Sequence, residues 1–60
     1  MGERIRARRK QQGVSQEDLA HAAGLDRSYV GAVERGERNL GIDNLHRLAE
    51  ALRCEARELL

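Results

Sequence analysis

Residues 15–36 hold two short helical segments with only Gly24-Leu25-Asp26 between them. The first opens on Ser15, with Asp18 three residues later as a shortened capping box. Leu19, Ala20 and Ala23 share one face, and Gly24 stops the helix. Asp26 is placed to cap the second helix, over about Arg27–Arg35, with Gly36 as its stop. Two helices joined by so short a glycine turn must cross closely. The crossing needs a small residue at Ala20 and a left-handed backbone at Gly24. It also needs apolar side chains at Leu25, Val30 and Val33, and all five requirements are met in order.

The flanking segments read as further helices. Gly2–Gln12 is arginine-rich, with Ile5 as its one strong apolar anchor and Gly13 as its stop. Glu37–Gly41 reads as a loop. Ile42, Leu45, Leu48, Ala49 and Leu52 then recur at the period of an amphipathic helix, and Ala56–Leu60 forms a last turn. With 60 residues, one domain over 1–60 is expected. The fold class is all-α: a compact bundle of about five short helices containing a helix-turn-helix. Tyr29 is the only aromatic residue and there is no proline, so Ala, Leu, Val and Ile must build the core. A chain this small buries only ~60% of its unfolded surface. Leu59 and Leu60 therefore suit a dimer seam, or mark a domain that continues beyond residue 60.

Several function classes fall away. No apolar run approaches the ~20 residues of a membrane span, and no apolar stretch follows the early charges as in a signal peptide. Cys54 has no partner for an internal disulfide, which fits a reducing, cytoplasmic setting. His21, His46 and Cys54 are too scattered for a metal site. There is no nucleophile beside a base, no working carboxylate pair and no phosphate-cradling glycine loop, so neither catalysis nor a cofactor is expected. No small-molecule ligand is evident either. The net charge of +1 hides an uneven distribution: +4 over residues 1–12, −3 over 13–26, +1 over 27–39 and −1 over 40–60.

With Val30 and Val33 turned inward, positions 27, 28, 31, 32 and 35 face outward. That face reads Arg, Ser, Gly, Ala, Arg, with a bare centre that would let the backbone sit deep in a DNA major groove. The stretches IRARRK (5–10), GVSQEDLA (13–20), AAGLDRSYVGAVERG (22–36) and NLHRLAEAL (44–52) together resemble the Cro/repressor-type (XRE-like) helix-turn-helix DNA-binding family. The resemblance covers nearly the whole chain. It implies binding of double-stranded operator DNA, usually as a symmetric homodimer. It further implies base contacts from Arg27, Ser28 and Ala32, and phosphate contacts from Gln16, Tyr29, Arg35, Arg38 and Asn39. Arg9 and Glu34 match a pair that in many members forms a buried salt bridge. Tyr29 has two readings: its ring packs on the turn, or its hydroxyl points at the DNA.

Arg8 stands where many members are apolar, Gly41 where a Ser or Thr cap is common, and Ala56 where proline often starts the last helix. Cys54 is expected to fill a small apolar slot, and Asp43–Arg47 and His46–Glu50 to pair along their helix. A reading of another class is a protein–protein or antitoxin-type module on the same fold, with the Gly31/Ala32 patch receiving a partner helix. Steep salt dependence would separate DNA binding from that alternative.

Overall fold

Helix α1 spans Gly2–Gln11 in the computed structural model, which describes residues 1–60. Ile5 and Arg9 are the two residues this polar helix buries. Helix α2 spans Gln16–Ala23 behind a complete capping box. Ser15 Oγ accepts from the Asp18 amide at 2.9 Å, and Asp18 Oδ2 accepts from the Ser15 amide at 3.4 Å. Helix α3 spans Arg27–Glu34. Asp26 stands at its N-cap, but its carboxylate accepts from Ser28 Oγ at 2.9 Å and bonds no backbone amide there. The position is as expected; the capping bond is not made. Helix α4 spans Ile42–Ala51, and a 3-10 turn over Ala56–Leu59 closes the chain. Four α-helices and one 3-10 turn thus stand in place of about five helices.

All four helices end in the same way. A residue at the C-cap (Gly24 of α2) or just after it (the other three) turns left-handed, and its amide and the next fold back onto the last turn. Gly13, Gly24 and Gly36 supply that conformation after the first three helices, with φ between +69 and +77°. After α4 the position is Arg53, at φ 56°. Its amide reaches the Glu50 carbonyl at 3.1 Å, and the Cys54 amide reaches the Ala49 carbonyl at 3.0 Å. An L side chain in that region costs about 1–2 kcal/mol. Arg53→Gly is therefore expected to raise stability by about 0.5–1 kcal/mol after the larger unfolded-state entropy of glycine is subtracted. A urea midpoint that stays put or falls would show that Arg53 is unstrained.

The core is made of Ile5, Leu19, Ala20, Ala23, Val30, Val33, Leu45, Leu48, Ala49, Leu52 and Leu59. Helix α2 lies centrally, against α3 on one side and α4 on the other. Two sequence expectations fail, one at the start of α4 and one in the closing turn. Ile42 is 68% exposed, because it opens the helix and side chains lean toward the N-terminus, beyond the core. Leu59 is wholly buried in its own domain, so of the proposed seam only Leu60, 58% exposed, remains on the surface. The helix pairs expected within α4 also do not close. The ion pairs of the domain are Arg8–Glu58, Arg9–Glu34, Arg35–Glu37 and Arg57–Glu55. Arg47 instead lies over the Gly24 turn, with Nη1 3.6 Å from where a Cβ would stand.

The departures at Arg8 and Cys54 have simple outcomes. Arg8 Nη2 pairs with Glu58 Oε1 at 2.8 Å and ties α1 to the closing turn. Cys54 packs half-buried against the core, and burial raises its thiol pKa. Gly2 has a role that its position alone did not announce. A Cβ there would overlap the Val33 carbonyl oxygen and stand 2.9 Å from that of Glu34. Both atoms are backbone, so neither yields without moving α1 off α3. Gly2→Ala is expected to destabilise the domain by about 1–3 kcal/mol, the usual range for overpacking. An unchanged thermal midpoint would mean that the first turn of α1 detaches freely.

Candidate nucleic-acid interface

The rim of α3 carries the polar groups that the sequence placed there. Arg27 and Ser28 are exposed at its start, Ala32 is half-exposed one turn on, and Arg35 is exposed at its end. The centre differs from expectation. Gly31 is buried rather than bare. Arg35 Nη1 lies 3.1 Å, and Gln16 Oε1 3.4 Å, from where a Cβ on Gly31 would stand. Glycine leaves room there for two polar side chains to lie across the helix. Arg35 is also held by Glu37, with Nη2 to Oε1 at 3.1 Å. Both groups are well exposed, so water screens the pair and it contributes little stability.

On one side of α3 a polar depression is lined by Arg9, Ser15, Gln16, Glu17 and Arg27. This is the N-terminal end of α2, where free amides and the helix dipole favour an anion. On the other side a second depression is lined by Asp26, Ser28, Tyr29, Ala32, Glu37 and Arg38. Tyr29 adopts the packed alternative: its ring lies half-buried against the core. Its hydroxyl donates to the Asn39 carbonyl at 3.3 Å and accepts from Asn44 Nδ2 at 3.2 Å. The Arg38 guanidinium sits 5.3 Å from the ring centroid, within cation–π range. Tyr29 thereby anchors the loop that carries Arg38 and Asn39. Asn44 gave no signal in the sequence, being one of two polar residues, with Asp43, between Ile42 and Leu45 on a regular helix.

Beneath this surface lies a buried charge network. Arg9 Nε and Nη2 grip both oxygens of Glu34 at 2.8 and 3.0 Å. The two side chains are only 10% and 2% exposed. Arg9 Nη1 also donates to the Val14 carbonyl at 3.0 Å, and Gln16 Nε2 donates to Glu34 Oε1 at 3.0 Å. Burial pushes the Glu34 carboxyl pKa up. The hydrogen bonds from Arg9 and Gln16, with the charges of Arg9 and Arg6, outweigh burial and hold it below its ordinary value. Sequence reading found the Arg9–Glu34 pair through the resemblance. It missed Gln16 as the third member, since three residues on three helices share no local spacing.

A family model described as helix-turn-helix matches residues 5–59. The chain belongs to the helix-turn-helix family. Within it, this helix-turn-helix protein is 43% identical to the control protein C.SmaI of Serratia marcescens, over the whole chain and 71% of that relative. Its structure matches that of the restriction–modification controller protein C.AhdI from Aeromonas hydrophila with a TM-score of 0.97. The identity is 56%, over 98% of this chain and 89% of that one. It also matches the P22 c2 repressor in complex with a synthetic operator, from Salmonella phage P22. There the TM-score is 0.91 at 39% identity, over 98% of this chain and 89% of that one. The Cro/repressor-type resemblance and the all-helical fold read from the sequence are both borne out. No helix is long and apolar enough to cross a membrane.

Proposed function

We propose that this protein is a sequence-specific, DNA-binding transcriptional regulator of the cytoplasm, with residues 1–60 acting as one domain. As a homodimer it places α3 in successive major grooves of a partly palindromic operator. The observation that carries this reading is the exposed rim of α3, flanked by the N-terminus of α2 on one side and the Arg38 loop on the other. Arg27, Ser28 and Ala32 meet base edges. Gln16, Arg35, Arg38 and Asn39 hold phosphates, while Tyr29 sets the loop from which two of them reach. The relatives named as controller proteins and repressors support a regulatory role rather than an enzymatic one.

The partner-helix alternative is weakened by Gly31. Of the Gly31/Ala32 patch that would receive such a helix, the Gly31 half is covered by Arg35 and Gln16. Selection of bound sequences from a random DNA pool tests the proposal. The expected product is a two-fold-related site with half-sites about one helical turn apart. Binding should fall with salt on a log–log slope of about −0.9 per phosphate neutralised. A pool that shows no enrichment would refute sequence-specific binding.

A further inference from the structure

Gln16 is the one side chain that touches both the buried charge network and the outer face of α3. Its Nε2 donates to Glu34 Oε1 at 3.0 Å, and the same oxygen accepts from Arg9 Nη2 at 3.0 Å. Its own Oε1 lies 3.4 Å from the place a Gly31 Cβ would fill, so the carboxamide rests across α3 where glycine leaves room. The nitrogen carries two hydrogens. One is committed to Glu34; the other has no partner within the domain and belongs to the polar depression at the start of α2. A free surface glutamine must lose rotamer freedom when it meets a ligand. This one has already lost it. The Arg9 charge also neutralises Glu34, so the carboxylate that orients the amide does not repel an approaching phosphate.

We infer that Glu34 is a positioning residue for the DNA backbone: it fixes the Gln16 carboxamide over Gly31 with one N–H presented to a phosphate. The inference rests on the DNA-binding reading above. It gives the Arg9–Glu34 pair a second role besides holding α1 to α3. Gly31 borders the same place: a Cβ there would crowd Arg35 Nη1 at 3.1 Å and meet the Gln16 carboxamide at ordinary contact distance, 3.4 Å from Oε1.

The test is a double-mutant comparison on the selected operator. The native chain, Gln16→Ala, Arg9→Met/Glu34→Leu and the triple variant are compared for affinity at one salt concentration. The apolar pair is used because well-packed apolar replacement of a buried ion pair preserves folding. Gln16→Ala is expected to weaken the native chain about tenfold per half-site, the effect of one charge-assisted hydrogen bond. In the apolar-pair background the same change is expected to weaken binding about twofold or less. Equal losses in both backgrounds would overturn the inference while leaving the DNA-binding reading intact.

Should the apolar-pair variant not fold, side-chain amide exchange in the native, DNA-free chain decides. The Gln16 side-chain N–H bonded to Glu34 is expected to exchange about tenfold more slowly than those of Gln11, which is exposed on α1. Matching rates would overturn the positioning role. Absence of DNA binding by the native chain would overturn the functional reading and this inference together.

Discussion

Glu34→Ala is expected to destabilise the domain by about 3–5 kcal/mol, because it leaves the buried Arg9 guanidinium without its partner. Global stability scales at roughly 0.05–0.15 kcal/mol per residue. A 60-residue domain therefore has little in reserve, and this variant should be largely unfolded by circular dichroism at room temperature. Arg9→Met/Glu34→Leu should stay folded, since both charges leave together. If the single and the paired variants unfold at the same urea midpoint, the lost interaction is packing rather than charge. The pair also sets an acid limit. The Glu34 pKa is lowered in the fold, so its stabilisation is fully present above the ordinary value of 4.5. That stabilisation is lost as pH falls through the lower, folded value. The urea midpoint of Glu34→Gln should depend less on pH in this range than that of the native chain.

Arg27→Ala is expected to reduce operator affinity by about 1–3 kcal/mol per half-site, the discrimination carried by one bidentate arginine–guanine contact. Two half-sites double the effect in a dimer. The loss should be specific: base preference relaxes at one position per half-site, while binding to unrelated DNA changes little. Arg27 is suited to this role because it is exposed at the start of α3 and has no ion-pair partner in the domain, unlike Arg35. A selected site identical to that of the native chain would move the base-reading role elsewhere on α3.

Much of the fold was legible because it depends on local chemistry. Ser15 and Asp18 cap α2 through their own backbone amides, and Gly13, Gly24 and Gly36 mark helix ends through a conformation open to few other residues. Val30 and Val33 point inward by period alone. Expectations failed where a residue's surroundings come from distant chain. Ile42 fits the α4 stripe but overhangs the core, and Leu59 enters the core instead of a seam. Gly31 faces outward by period, yet Arg35 and Gln16 roof it. Arg53 adopts a left-handed turn that its side chain does not announce.

The sequence by itself therefore determined the helices, their crossing at Gly24 and the identity of the side chains around α3. These follow from periodicity, capping and turn chemistry, which act over a few residues. Only the tertiary structure decided how those side chains are held. It joined Arg9, Gln16 and Glu34 from three helices, tied Tyr29 to Asn39 and Asn44, and set Gly2 against the Val33 carbonyl. The physical reason is range: capping and periodicity are written in neighbouring residues, whereas hydrogen bonds between helices exist only once packing has brought them within about 3 Å.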